Sequence, residues 1–182
     1  MKKLAVLFAL ILGTASVSHA GILLEPYLGM EMGKYTTGSA GDGKTEMTNM
    51  GVRVAYTLPV LVWVGVDATL GMSGKLKPDS GGDADMKRTS LGAVVGVDLP
   101  ILLRAWAGVG ISNELKIDDV LNTKYKGGYT KFGIGFTGLP FVSLNLELIK
   151  DDFKDISNDT GTGTADFKHD TYMLSVSLPL EF

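Results

Sequence analysis

Four times in this chain a Leu-Pro pair is followed by an apolar residue: Leu58-Pro59-Val60, Leu99-Pro100-Ile101, Leu139-Pro140-Phe141 and Leu178-Pro179-Leu180. The prolines stand 41, 40 and 39 residues apart. Proline has no N–H to give a sheet ladder, so it belongs at strand ends and turns. A period near forty residues marks a repeated unit. Between successive prolines lie two stretches of alternating apolar residues separated by a polar segment. That is one strand up, a connection, and one strand down.

Reading by period two gives eight such stretches, roughly Ile22–Tyr35, Met47–Leu58, Leu61–Met72, Arg88–Leu99, Ile101–Ser112, Gly128–Leu139, Phe141–Lys150 and Thr171–Phe182. One face of each is apolar. In the first it is Ile22, Leu24, Pro26, Leu28, Met30 and Met32; in the third, Val62, Val64, Val66, Ala68, Leu70 and Met72. The other face carries Glu25, Glu31, Arg53, Asp67, Asp98, Arg104, Lys131, Glu147 and Glu181. Alternation alone does not say which face points outward. Glycine does: Gly29, Gly51, Gly65, Gly92, Gly96, Gly108, Gly133 and Gly135 all fall on the charged face. An eight-stranded barrel is barely wide enough for its own side chains, so small residues must make room inside. The charged face is therefore the interior, and the apolar face meets lipid. The predicted fold is all-β, an eight-stranded antiparallel up-and-down transmembrane barrel over residues 21–182. By the same parity Trp63 and Trp106 face inward as packing, joined by Leu61, Leu102 and Val94 with little other apolar lining. Tyr56, Phe136 and Phe182 face outward near the turn rim, and Tyr172 near the opposite rim.

The first twenty residues are a separate unit. Lys2 and Lys3 precede the apolar run Leu4–Leu12, and Ser18 and Ala20 fit the small-residue positions before a cleavage site, so residues 1–20 read as a secretory signal cut after Ala20. Nine apolar residues are far fewer than the ~20 a spanning helix needs. Without Lys2 and Lys3, 15 basic side chains face 20 acidic ones, a net −5 that argues against a nucleic-acid partner. The chain has no Cys, so no disulfide holds it together.

The end of the chain, Tyr172-Met173-Leu174-Ser175-Val176-Ser177-Leu178-Pro179-Leu180-Glu181-Phe182, closes on an aromatic with apolar residues at every second position. It resembles the sorting signal that the outer-membrane assembly machinery reads on the last strand of bacterial barrels, with Tyr172, Leu174, Val176, Leu178, Leu180 and Phe182 as its apolar positions. Pro179 departs from that pattern. The mature start, Leu24-Glu25-Pro26-Tyr27-Leu28-Gly29, resembles the first strand of small barrels of the OmpA/OmpX type. The resemblance implies an integral protein of the bacterial outer membrane with the bilayer and the assembly machinery as its partners; it implies no particular activity.

Inside the barrel, Glu31, Arg53, Asp67, Arg104, Lys131 and Glu147 are expected to form an ion-pair network that plugs the lumen. The expected pairs are Arg53 with Glu31, and Lys131 or Arg104 with Asp67 or Glu147. Four polar segments opposite the proline turns, Thr36–Glu46, Ser73–Lys87, Asn113–Gly127 and Asp151–Asp170, read as long loops, where binding usually resides. His169 stands where the last of these meets a strand and reads as a solvated rim histidine. Asp170, Ser175 and Glu147 are the partners a lipid-modifying catalytic arrangement would need, but no motif surrounds them. The acidic run from Asp151 to Gly161 lacks the spacing of a calcium loop. No catalytic residue, cofactor or metal site is expected. The leading reading is a non-enzymatic outer-membrane barrel that serves envelope structure or surface interaction through its loops. A channel for small or apolar solutes is the alternative, a lipid-modifying enzyme centred on His169 a third reading, and a soluble periplasmic barrel a fourth.

Overall fold

The computed structural model describes residues 20–37, 41–59, 61–79, 81–118 and 122–182. The proposed signal segment, but for Ala20, lies outside the described residues. The strands are β1 (Gly21–Thr37), β2 (Gly41–Thr57), β3 (Val62–Pro78), β4 (Ala84–Leu99), β5 (Leu103–Asp118), β6 (Lys124–Phe136), β7 (Ser143–Asn158) and β8 (Gly161–Ser177), with a two-residue continuation β9 (Leu180–Glu181). Each pairs antiparallel with the next, and β1 pairs with both β2 and β8, so the sheet closes into an eight-stranded barrel. Pro179 breaks the last strand. Beyond it, β9 rejoins β1, and the main chains of Ile22 and Phe182 exchange two 3.0 Å hydrogen bonds.

Three of the four prolines make the tight turns of one rim. Leu61, Leu102 and Phe141 each follow a turn proline and adopt positive φ, 62°, 60° and 66°. Leu102 is thereby exposed and Leu61 only partly buried, so neither lines the lumen as parity suggested. The turn reverses the chain at these residues and takes them out of the strand alternation.

Parity otherwise sorts the wall as the composition requires. Leu28, Met30, Val64, Val66, Val95, Phe132, Ile134, Leu146 and Leu174 are exposed on the outside, whereas Glu25, Arg53, Asp67, Lys131 and Glu147 are buried inside. The inner glycines act as floors for aromatic rings. A Cβ on Gly96 would meet the Trp63 ring at 2.1 Å, and one on Gly133 the Trp106 ring at 2.1 Å. The Tyr27 ring lies against Gly51 and the Tyr129 ring against Gly110 in the same way. Each ring thus lies along the inner wall and rests on a bare stretch of the neighbouring strand.

The four long loops are not loops. β1 runs to Thr37 and β2 starts at Gly41; β7 runs to Asn158 and β8 starts at Gly161; the other two connections are similarly short. Most of the polar segments are strand. The strands contain 13 to 17 residues, against the ~9–11 needed to cross a bilayer. The surplus extends the barrel beyond its apolar belt, and there the two faces exchange character. Lys44, Lys75, Lys87, Lys126, Asp152, Lys154, Lys168 and Asp170 point out, while Tyr35, Met47, Leu76, Met86, Leu115, Ile117, Phe153 and Phe167 form a buried apolar cluster inside. Below the change the barrel is apolar outside and polar inside; above it the arrangement is that of a water-soluble barrel.

Candidate functional site

The lumen is layered. Nearest the turn rim, Leu23, Ala55, Trp63, Val94 and Trp106 pack together. Above them lies the first ionic layer, whose hub is Arg53. Its guanidinium donates to Glu25 (3.0 Å), Asp67 (3.0 and 3.2 Å) and Glu147 (2.9 Å), and it lies 4.5 Å over the Trp106 ring. Lys131 bridges Asp67 (3.1 Å) and Glu147 (3.4 Å). Arg104 binds Glu25 (3.0 Å) and the partly exposed Asp98 (2.6 Å). Tyr27, Trp106 and Ser177 donate to Asp67, Glu147 and Glu25 at 2.9, 2.7 and 2.6 Å. Three fully buried cations therefore face three fully buried carboxylates. Buried charges persist only when they are paired and hydrogen-bonded.

The expected pair of Arg53 with Glu31 does not form. In the β1–β2 register Arg53 stands opposite Glu25, whereas Glu31 stands opposite Met47. Six residues separate the two glutamates, roughly 20 Å along an extended strand. Glu31 belongs instead to a second ionic layer beyond Tyr27, Tyr129, Ile149 and Met173. There Arg88 bonds both Glu31 and Asp151, the latter at 2.9 Å. Asn49 donates to Glu31 (2.6 Å) and Asn113 to Asp151 (2.7 Å).

His169 is part of this layer, not a solvated rim residue: it is fully buried. Its Nδ1 is 2.9 Å from Asp151 and its Nε2 2.7 Å from the Thr45 hydroxyl. The barrel continues past the apolar belt, so a residue assigned to a loop lies inside the wall. Of the partners nominated for a catalytic arrangement, Asp170 points outward, and Ser175 and Glu147 sit lower in the barrel, in contact with other groups. Thr45, His169 and Asp151 do reproduce the connectivity of a hydroxyl–imidazole–carboxylate relay. The Thr45 hydroxyl is buried, however, and Phe167 of the apolar cap packs 6.4 Å from the imidazole. A nucleophile needs room for a reacting atom beside it, and the Thr45 side chain is buried.

Asp151 lies beyond the apolar belt, between outward Lys150 and Asp152. Burial pushes its carboxyl up, but Arg88 and His169 more than offset this and hold it below the ordinary aspartate range. Several buried polar atoms of this layer have no protein partner, among them Glu31 Oε1, Asn49 Oδ1, Asn113 Oδ1, Arg88 Nε and Thr171 Oγ1. Groups of that kind are ordinarily served by internal water.

Sequence reasoning missed Arg88, Asp151, Thr45, Asn49 and Asn113 as lumen groups, placed His169 at the solvated rim, and saw Glu25 without assigning it a partner. The signal was present: period-two alternation continues through the supposed loops with the apolar residues on the opposite parity. The six apolar positions of the terminal strand, Tyr172, Leu174, Val176, Leu178, Leu180 and Phe182, all lie on the outer surface.

No family model matches the sequence, and no curated protein matches it. Solved structures do. Neisserial surface protein A is 15% identical, with a TM-score of 0.56 over 88% of this chain and 99% of its own. Ail, the attachment invasion locus protein of Yersinia pestis, is 13% identical, with a TM-score of 0.60 over 87% of this chain and 98% of its own. Ail in complex with the heparin analogue sucrose octasulfate matches at 11% identity, with a TM-score of 0.57 over 89% of this chain and all of that one. The fold is that of the small eight-stranded outer-membrane barrels.

Proposed function

We propose that the chain is a non-enzymatic integral barrel of the bacterial outer membrane that works through the outer wall of its polar extension, in envelope structure or surface interaction. The carrying observation is the exchange of faces: an apolar-out, ion-paired-in belt over eight strands that turns into a polar-out, apolar-in barrel above. Only a wall passing from lipid into water needs both arrangements. Surface interaction is thereby moved from loops to strands, since the connections are short and the exposed charges stand on sheet. Ail, of the same fold, has been solved in complex with a heparin analogue, which supports a binding role for a barrel of this kind. The alternative of a channel fares less well against two ionic layers and an apolar cap stacked in one narrow lumen.

The test is fractionation with gel migration, followed by planar-bilayer recording. The protein should sediment with the outer membrane and change mobility on boiling, and the refolded barrel should show no conductance steps. An unshifted band in the soluble periplasm would overturn the membrane reading. Regular conductance steps would overturn the sealed lumen and restore the channel.

A further inference from the structure

The two rims of the barrel are built from different residues. At the rim of the extension, the described residues of positive φ are Gly41 (94°), Gly81 (124°), Asn122 (51°) and Gly161 (155°). At the proline rim they are Leu61 (62°), Leu102 (60°) and Phe141 (66°). A Cβ is disfavoured in the left-handed region, so glycine and asparagine are its ordinary occupants. The extension follows that rule at every one of its four described positions. The proline rim departs from it three times, each time with a large apolar side chain.

The barrel itself gives these side chains little contact. Phe141 is 86% exposed and Leu102 56%, with Ile101, Leu139 and Phe182 exposed beside them and Leu61 half-buried. The turns are also free of charge: residues 57–62, 99–103 and 137–143 contain no Asp, Glu, Lys or Arg. The charges nearest this rim are Asp98, which Arg104 holds at 2.6 Å, Glu181 and the chain terminus. Backbone strain persists where the surroundings compensate it. At this rim the compensation has to come from outside the chain.

We propose that the three apolar turns are an added row of the lipid-facing belt, seated at the boundary of acyl chains and headgroups in the periplasmic leaflet, the side on which short barrel turns lie. This rests on the outer-membrane reading. On β3 the outward positions from Val62 to Met72 cover about 33 Å of strand. At the usual tilt that is roughly 25 Å of height, which already fills the apolar band of such a barrel. The turns add about 5 Å beneath it. They stand at the β2–β3, β4–β5 and β6–β7 junctions, and Phe182 stands at the β8–β1 seam, so apolar groups ring the wall at every second junction. A bilayer touches the whole ring; a protein docking from one side would cover one or two of its members. Crowding does not explain the glycines of the opposite rim, since a Cβ at Gly41, Gly81 or Gly161 would meet nothing within 4 Å. Water there, and lipid at the turns, accounts for both choices.

The chain has no Cys, so Leu102→Cys, Phe141→Cys and, on the exposed extension, Thr162→Cys each give one labelling site. Each variant carries a polarity-sensitive fluorophore and is refolded into phosphatidylcholine nanodiscs, whose two faces are both open to solutes. Labels at positions 102 and 141 should be quenched by a spin-labelled lipid and shielded from iodide, and the label at 162 should behave the opposite way. Iodide quenching at 102 and 141 as strong as at 162 would overturn the proposal and leave the rim to a soluble partner. A second comparison sets wild type against L61N/L102N/F141N, in which asparagine suits the backbone but not lipid. Across phosphatidylcholines of increasing acyl-chain length, the variant's highest urea midpoint should move to shorter chains. A variant more stable than wild type in every bilayer, with an unmoved optimum, would show strain relief alone and would also overturn it. Failure of wild type to insert or to shift on boiling would instead overturn the outer-membrane reading beneath it.

Discussion

Replacing Arg53 with alanine removes the hub of the first ionic layer. In the intact barrel its guanidinium reaches Glu25, Asp67 and Glu147 and covers the Trp106 ring. Without it, three buried carboxylates face only Arg104 and Lys131. Removing one partner of a buried pair costs roughly 3–5 kcal/mol, because the partners left behind keep their desolvation penalty. That corresponds to roughly a two-hundred- to five-thousandfold rise in the unfolding equilibrium constant. The assay is urea unfolding of the barrel refolded into vesicles, followed by tryptophan emission and by gel migration. Trp63 and Trp106 both sit against the layer, so emission reports on it directly. Combining Arg53→Met with Glu147→Gln restores the balance of buried charge and should recover at least half of the loss, a departure from additivity that marks direct coupling. A change within about 0.5 kcal/mol for Arg53→Ala, as at an ordinary surface position, would refute the reasoning: the layer would then be hydrated and the lumen open.

Gly133→Val places side-chain atoms where the Trp106 ring lies and should cost about 1–3 kcal/mol through overpacking, whereas Gly128→Ala, with open space beside it, should leave the urea midpoint unchanged. His169→Ala strips Asp151 and Thr45 of a buried partner each and should cost about 2–6 kcal/mol at 1–3 per unsatisfied group; an unaltered midpoint would return the histidine to the solvated rim. The Asp151 carboxyl is held below its unfolded value, so its stabilisation is complete above about pH 3.9, the ordinary value, and is lost as pH falls through the lower folded value. Stability measured down a pH series should fall more steeply in wild type than in Asp151→Asn. Deleting Phe182 removes both an outward aromatic and the main-chain pair with Ile22; outer-membrane assembly in cells should drop more than spontaneous refolding into vesicles does, and equal losses would mean that the residue only closes the barrel.

The belt of the barrel was legible residue by residue. Pro59, Pro100 and Pro140 mark their turns because a missing N–H excludes them from the ladder, and the glycine-rich parity identifies the interior because aromatic rings have to lie flat against Gly51, Gly96, Gly110 and Gly133. The extension was not legible by the same rule. Asp151, Phe153, Phe167 and His169 alternate with charged residues just as the belt alternates with apolar ones, but a search for an uncharged outer face stops where the surroundings change from lipid to water. Leu61 and Leu102 show the opposite error, since parity was carried one residue too far into turns of positive φ.

Local alternation determined the number of strands, their order and the face each side chain of the belt takes, because in a closed antiparallel barrel those follow from period two and from the turns alone. The tertiary structure decided which charges meet. Arg53 reaches Glu147 across 94 residues of sequence and Thr45 reaches His169 across 124. Contacts across a lumen depend on the accumulated stagger of eight strands, and each bulge shifts that register by a residue or more.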